Sequence, residues 1–216
     1  MTWLLKHGYE NITILDNAST FPPLLDYLDM ASKHVSVIGL SENLGKFALW
    51  KSKALQAPEP PFIYTDPDVI PDAHCPADII AVFMQALDRH PNKKKCGFGL
   101  RIDDLPDCYA PRETVIAWES QFWNRQIRST DMPCPIYDAA IDTTFALYLQ
   151  KGFTPTAIRT GFPYVAKHWT WYLDSSKPTS ERLHYESTSH VSGTWKLNGS
   201  TSGAVRNFMT KINGGI

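Results

Sequence analysis

The sequence lacks the features that mark several large classes of protein. Its cysteines are few and far apart, with no CxxC pair: Cys75, Cys96, Cys108 and Cys134. We therefore expect neither a disulfide framework nor a zinc site. No apolar stretch reaches the roughly 18 residues of a membrane-spanning helix, and no signal peptide is recognisable. The expected location is the cytoplasm, and the sequence leaves a peripheral association with the inner membrane face open.

The chain also lacks an excess of charge of either sign. Its 21 Lys and Arg residues nearly balance its 22 Asp and Glu residues, for a net charge of -1. No bulk field attracts polyanions, so we do not expect a nucleic acid as a partner. The short run NKKK at 92–95 is predicted to be a solvated turn. A hydrophobic content of 43% and a charged content of 20% in 216 residues are typical of a folded globular protein.

The first half of the sequence alternates β-rich and helical segments. The β-rich runs cover 11–17, 35–40, 61–66 and 95–102, and helical patterns cover 22–34, 42–55 and 76–91. This order predicts an α/β fold, Rossmann-like, with three α/β/α layers and a mainly parallel sheet. Ligands of such sheets bind at the carboxyl ends of the strands.

The second half is less regular. Residues 112–127 have a helical pattern, 135–152 favour strands, and the tail from about 175 is rich in Ser, Thr and Gly, which indicates irregular structure. With no internal repeat and no clear linker, we predict one domain over 1–216.

Aspartates follow two of the predicted strands. Asp16 closes the first, and Asp66 and Asp68 close the third in "FIYTDPDVIP". We expect all three at one edge of the sheet, where their carboxylates suit Mg²⁺ or Mn²⁺, and such an ion could bridge to a diphosphate. Pro67 fixes its own φ and restricts Asp66, which would preset the geometry. Alone, an Asp-x-Asp pattern also arises by chance in a chain of this length.

His168 lies in the aromatic segment "PYVAKHWTWYLD" at 163–174. Near a metal held by Asp66 and Asp68 it would be a third ligand through a ring nitrogen. The alternative is a structural histidine held by hydrogen bonds.

Two further segments contain candidate polar residues. "GLRIDDLPD" at 99–107 offers Arg101 to a phosphate, and Asp103 and Asp104 to sugar hydroxyls, unless it is a polar surface turn. "AIDTTFALY" at 140–148 places Asp142 among apolar residues, where we expect it to be buried. Asp142 is then either a general base or a cap bonded to a neighbouring threonine. Glu119, in the aromatic helix, is a second candidate base.

Several of these segments follow one another in a fixed order. They are "NITILDNASTFPPLLDYL", "ENLGKFALW", "FIYTDPDVIP", "KCGFGLRIDDLPD" and "AIDTTFALYL". Over residues 2 to 174 the chain resembles GT-A-type glycosyltransferases of the family 2 group and its bacterial and large-virus relatives. The resemblance implies Mn²⁺ or Mg²⁺ as the cofactor, a UDP-sugar as the donor and a glycan or lipid-linked acceptor.

The resemblance also implies a role for individual residues. Asp16 would contact the uracil or its ribose, and Asp66 and Asp68 would be the metal aspartates, with His168 as a late ligand. Asp142 would be the catalytic base. Asn43 begins an N-x-G-x-x-A pattern beneath the donor, and the donor pocket would be made by Asp16, Asn17, Asn43, Lys46, Asp66, Asp68, Arg101, Asp103 and Asp104.

The chain departs from the family pattern in two places. The usual Glu-Asp dipeptide at the base is absent, which leaves base and stereochemistry open. "TWLLKHGYEN" resembles the end of a first helix, so the first strand is not recognised and weak donor binding, or none, is expected. Two alternatives stay open: a sugar-1-phosphate nucleotidyltransferase, and a non-catalytic carbohydrate-binding or scaffold domain.

Overall fold

The computed structural model describes residues 1–53, 55–128, 131–188 and 203–213. They divide into two compact units. The first lies within residues 1–57 and adds the segment from residue 178 to the helix that ends at Thr188. The second lies within residues 58–177 and adds the helix Gly203–Asn213. The assignment of the whole chain to one domain stays a prediction.

The helices and strands follow the predicted alternation through the first half of the chain. The α-helices are α1 (Thr2–Lys6), α2 (Pro22–Ala31), α3 (Ala48–Lys51), α4 (Ile79–Arg89), α5 (Arg112–Ser120), α6 (Ser180–Thr188) and α7 (Gly203–Asn213). The strands are β1 (Thr13–Asp16), β2 (Ser36–Gly39), β3 (Phe62–Tyr64), β4 (Val69–Pro71), β5 (Lys95–Leu100), β6 (Gln126–Ile127), β7 (Ile136–Asp138), β8 (Ala146–Tyr148) and β9 (Ile158–His168).

The first unit contains a parallel pair of strands. β1 and β2 run in register from Thr13 opposite Ser36 to Asp16 opposite Gly39, and α2 connects them. Prolines at the first two positions of α2 preset its first turn. The helix predicted over 42–55 is much shorter, a 3-10 turn followed by α3. Gly45, the first residue of the 3-10 turn, has a φ of 72°, a left-handed conformation that prevents a right-handed helix from extending back toward residue 42.

The second unit is built on an open sheet with the strand order β3-β8-β5-β9-β7-β6, and β4 pairs with the far end of β9. The α/β architecture is confirmed. The predicted parallel pairing is found between β1 and β2 and between β5 and β9. The remaining pairs in the described residues are antiparallel.

The core of the second unit lies between α4 and the middle of the sheet. α4 buries five apolar residues, and the ring of Phe83 meets Phe98 edge-on at 5.1 Å. Every residue of β5 is buried, including Lys95 at 0% exposure, and Lys93 is only 9% exposed. The prediction that 92–95 is a solvated turn is therefore wrong for these two lysines, because the central strand already begins at Lys95.

The last part of the chain is more regular than predicted. Two helices, α6 and α7, occupy described parts of the tail, and residues 189–202 lie outside the described residues. α7 buries Val205, and Phe208 packs edge-on against Trp118 of α5 at 5.3 Å. Among the described residues, no helix combines the length and apolarity needed to cross a membrane.

Candidate functional site

The two aspartates of "TDPD" lie on a tight turn between β3 and β4. The amide of Val69 donates to the carbonyl of Asp66 at 3.3 Å, which closes a four-residue turn. Proline is favoured at the second position of such turns and aspartate at the first. Pro67 is therefore the second residue of this turn, between the two aspartates.

Asp68 lies beside His168. β4 pairs with the end of β9 so that Val69 faces His168, and the amide of Trp169 donates to the carbonyl of Asp68 at 2.7 Å. The Asp68 Oδ2 atom is 3.2 Å from His168 Nδ1 and accepts from the Thr170 hydroxyl at 3.2 Å. The structure thus brings together the second aspartate and the histidine that the sequence placed 100 residues apart.

His168 is itself held in a fixed orientation. Its Nδ1 atom is 2.9 Å from the Thr170 hydroxyl, and its ring stacks on Trp171 with centroids 4.5 Å apart and planes inclined by 7°. Trp171 is buried at 1% exposure. A ring packed in this way cannot swing away from Asp68 without breaking the stack.

Asp66 is held by another segment. The Thr143 hydroxyl donates to Asp66 Oδ2 at 2.9 Å, and the Asp66 amide donates to the Thr143 carbonyl at 3.1 Å. Thr143 is fully buried. The loop before β8 therefore sets the position of the first aspartate, whereas β9 sets that of the second.

Asp68 and His168 form only part of the ligand set that a metal ion needs. In the described residues no group of three His, Cys, Asp or Glu side chains is arranged to hold a metal ion. Asp68 and His168 form a carboxylate–imidazole pair, and both are ligands that Mn²⁺ accepts. Mg²⁺ and Mn²⁺ in phosphate-binding sites commonly take one or two protein ligands and complete their shell with water and phosphate. The pair fits a site of that kind.

Asp142 differs from the prediction. It is exposed, so the expectation of a carboxylate buried among apolar residues is wrong. The apolar neighbours in the sequence, Ile141 and Phe145, turn into the core while Asp142 faces solvent. Its backbone carbonyl accepts from Lys95 Nζ at 3.1 Å.

The acidic cluster around Arg101 is a network of ion pairs. Arg101 Nη1 lies 2.8 Å from Asp72, and the same guanidinium reaches both carboxylate oxygens of Asp103 at 3.1 Å. Although burial raises it, the pKa of Asp72 is lowered to about 2 by hydrogen bonds from His74 and Arg101. These carboxylates use most of the donors of Arg101, which favours a structural role over phosphate contact.

Asp104 belongs to the same network. Lys167 Nζ lies 2.6 Å from its Oδ2 atom, and the Tyr172 hydroxyl donates to Oδ1 at 2.5 Å. Lys167 immediately precedes His168, so the network ties the loop after β5 to the end of β9. The predicted contacts of Asp103 and Asp104 with sugar hydroxyls stay predictions.

Of the predicted donor residues in the first unit, Asn17 and Asn43 are in contact, and Asp16 and Lys46 contact other neighbours. Asn17 Nδ2 donates to Asn43 Oδ1 at 2.9 Å and to the Gly45 carbonyl at 3.1 Å, so the loops after β1 and β2 are joined. Asp16 accepts from the Ser19 amide at 3.3 Å, and the ammonium of Lys46 lies 5.4 Å from the Phe47 ring centroid.

The prediction that Asp16, Asp66 and Asp68 share one sheet edge is wrong. Asp16 ends a strand of the two-stranded sheet in the first unit, whereas Asp66 and Asp68 follow a strand of the larger sheet in the second. The reason lies in the pairing: among the described residues β1 pairs with β2, and β3 pairs with β8.

The sequence analysis missed two buried cationic side chains near the candidate site. Lys95 Nζ donates to the carbonyls of Ile141 and Asp142, and Arg159 Nε donates to the carbonyl of Ala140 at 2.8 Å. Arg159 also forms a buried ion pair with Glu119 at 3.0 Å. The sequence does contain a signal for them: a charged residue lies inside each of the apolar runs "KCGFGL" and "AIRTGF". Such a residue is expected to be buried and to have a specific partner.

Glu119, the second candidate base, is 5% exposed and committed to Arg159. Burial raises the pKa of Glu119, and the charge and hydrogen bond of Arg159 partly oppose that effect. A carboxylate enclosed in this way has no exposed position from which to reach an acceptor, which leaves the exposed Asp142 as the better placed of the two.

Comparison of this protein with protein-family models, with curated proteins and with solved structures found no match in any of the three.

Proposed function

We propose that this protein is a metal-dependent glycosyltransferase. It would transfer a sugar from a nucleoside-diphosphate donor, a UDP-sugar according to the sequence resemblance, to a hydroxyl of a glycan or lipid-linked acceptor. The observation that carries the proposal is the meeting of Asp68 with His168 at 3.2 Å, next to the turn that also presents Asp66.

In this proposal Asp68 and His168 would hold Mn²⁺ or Mg²⁺, which would supply positive charge for a departing diphosphate. Thr170 supports the pair because its hydroxyl lies within 3.2 Å of both Asp68 Oδ2 and His168 Nδ1. The Thr143 hydroxyl donates to the Asp66 carboxylate, which belongs to the same turn as Asp68.

Asp142 would accept the proton of the acceptor hydroxyl. Its side chain is exposed, so an acceptor can approach it from solvent, and its backbone is anchored by Lys95. A base needs a carboxylate within hydrogen-bond reach of the hydroxyl, and a fixed backbone reduces the cost of that alignment.

The test is a calorimetric titration of UDP with and without Mn²⁺. A high protein concentration ensures that weak binding is also measured. We expect binding that needs Mn²⁺ and that falls about tenfold or more in Asp68→Ala and His168→Ala, in line with the loss of a metal ligand or its support. The matched control is Asp88→Ala, an exposed aspartate at the end of α4.

Three outcomes would contradict the proposal. UDP binding that is indifferent to Mn²⁺, or to Asp68→Ala, would place the nucleotide elsewhere. Turnover of a nucleoside triphosphate with a sugar-1-phosphate would identify a nucleotidyltransferase. No UDP binding by the folded wild type would favour a non-catalytic carbohydrate-binding or scaffold domain.

A further inference from the structure

Three consecutive carbonyls before Thr143 point at buried cationic side chains. Lys95 Nζ donates to the Ile141 carbonyl at 2.7 Å and to the Asp142 carbonyl at 3.1 Å. Arg159 Nε donates to the Ala140 carbonyl at 2.8 Å. Lys95 is 0% exposed and Arg159 is 5% exposed, so water does not replace these bonds if they break.

The two cations come from the centre of the sheet. Lys95 begins β5 and Arg159 lies at the start of β9, and these strands are parallel neighbours. Both strands belong to the core of the second unit, so the two donors lie on regular, buried elements. The loop 140–142 has no regular structure of its own, and its other backbone anchor is the hydrogen bond from the Ile141 amide to the Pro155 carbonyl at 3.3 Å.

The next residue of the loop reaches the candidate site. Thr143 holds Asp66 through two hydrogen bonds, one from its hydroxyl and one to its carbonyl. A continuous set of contacts therefore runs from the two cations through the loop to the first aspartate of the turn. Asp142 stands on the same loop.

Burying a lysine at this position costs free energy, because its ammonium group loses contact with water. Burial lowers the pKa of Lys95 to about 7, with Asp142 acting against that effect and Arg159 adding to it. Its other neighbours are the Tyr148 hydroxyl at 3.3 Å and the rings of Tyr148 and Phe153. An apolar side chain of similar length would fill the space at no such cost, but it would donate no hydrogen bond to the loop.

We propose that Lys95 and Arg159 are positioning residues that fix loop 140–142, so that Thr143 holds Asp66 and Asp142 keeps its place. The contacts stand on their own, and their link to catalysis rests on the proposed glycosyltransferase function. Glu119 takes part indirectly, because its ion pair balances the charge of Arg159.

The test uses Lys95→Met, which keeps the length of the side chain and removes its donors. The matched control is Lys94→Met, because Lys94 is the exposed neighbour and donates to the Pro91 carbonyl. Hydrogen exchange followed by NMR gives the rate for the Asp66 amide, which donates to Thr143, relative to the amides of α4. A general loss of stability speeds exchange of the Asp66 amide and of the α4 amides alike. The ratio of the two rates therefore reports a change at the loop alone.

We expect the Asp66 amide to exchange about tenfold faster relative to α4 in Lys95→Met and at an unchanged ratio in Lys94→Met. The double variant Glu119→Gln/Arg159→Gln should act in the same direction without leaving a buried charge unpaired. An unchanged exchange ratio in Lys95→Met would overturn the role assigned to Lys95. An unchanged ratio in the double variant would overturn the role assigned to Arg159. If Lys95→Met does not fold, Lys95→Gln replaces it, since its shorter side chain cannot span both carbonyls.

Titration with Mn²⁺ alone gives a second readout. We expect Lys95→Met to weaken Mn²⁺ binding about threefold, less than the roughly 10-fold cost of losing a direct partner of a metal ligand, because the loop positions Asp66 and not Asp68 or His168. Lys94→Met should leave it unchanged. Equal Mn²⁺ affinity in wild type and Lys95→Met would overturn the link between the loop and the site. A wild type that does not bind Mn²⁺ would overturn the proposed function, and the exchange ratio would then decide the loop contacts by itself.

Discussion

Lys95 should make the stability of the protein depend on pH in an unusual direction. Its folded pKa of about 7 lies well below that of an exposed lysine, about 10.4. Between these values the unfolded chain holds a proton that the folded chain has released. The free energy of unfolding therefore rises with pH across this window, by at most about 1.4 kcal/mol per pH unit for one proton.

Urea unfolding of wild type and Lys95→Met at pH 7, 8 and 9 measures this effect. The difference in unfolding free energy, wild type minus variant, should grow with pH, because the variant has no ammonium to neutralise. The same difference for Lys94→Met should stay flat. The groups that face Lys95 are Asp142, Arg159 and Tyr148, and burial raises the pKa of Tyr148 further above this range. A flat difference for Lys95→Met would show that the lysine keeps an ordinary pKa.

At the scale of single residues, the sequence predicted one contact and missed others. It placed His168 near Asp68, and the structure finds the two side chains 3.2 Å apart. Their role as metal ligands stays a prediction. The exposure of Asp142 could not be predicted from the sequence, because a loop residue between apolar neighbours can face either the core or the solvent. The partners of Arg101 also depended on long-range contacts, since Asp72 lies 2.8 Å from it but 29 residues away in the chain.

Strand β5 shows how close packing constrains an element. A Cβ atom on Gly97 would lie 2.7 Å from the Cβ of Ala146 and would also meet the Phe145 carbonyl, closer than real Cβ atoms approach. A Cβ on Gly99 would lie 2.5 Å from the Trp123 ring and 2.7 Å from the Thr160 carbonyl. These glycines let β8 and β9 approach the central strand on both sides.

Gly97→Ala should therefore be strongly destabilising. The obstacles are the backbone and Cβ of a paired strand, which cannot move aside as the end of a flexible side chain can. We expect a loss of about 2 kcal/mol or more in the free energy of unfolding, measured with urea. Gly152→Ala is the matched control, because nothing lies within 4 Å of its added Cβ, and it should stay within about 0.5 kcal/mol of wild type. Similar losses in the two variants would contradict this reading of β5.

At the scale of elements, apolar runs located the strands of the first half to within a few residues. Their directions were harder to predict, because the sheet also takes β7, β8 and β9 from the second half. The insertion of β8 between β3 and β5 depends on cross-strand packing, which leaves no periodic mark in the sequence. The helix predicted over 42–55 is longer than the observed one, because the positive φ of Gly45 prevents a helix from beginning earlier, and α3 ends at Lys51.

At the scale of the whole molecule, the buried apolar residues are divided unevenly. Among the described residues of the first unit, the buried hydrophobic side chains are Leu28, Ala31, Val35 and Ala48, and three of these are small or β-branched. The second unit buries large aromatic and aliphatic groups on both α4 and β5. Apolar burial is the main favourable term in folding, so the two units should differ in their resistance to opening.

Hydrogen exchange of the whole protein, followed by mass spectrometry, tests this difference. Amides of β1 and β2 should exchange through openings that cost less free energy than those exposing β5 and β9. A gap of at least about 2 kcal/mol, or roughly 30-fold in exchange rate after correction for intrinsic rates, is expected from the difference in burial. Gly97→Ala supplies the control, because it should speed exchange in β5 and leave β1 and β2 unchanged if the units open separately. Equal protection of all four strands in wild type would instead mean that the protein opens as one cooperative body, with the small core of the first unit stabilised to the same extent as the large core of the second.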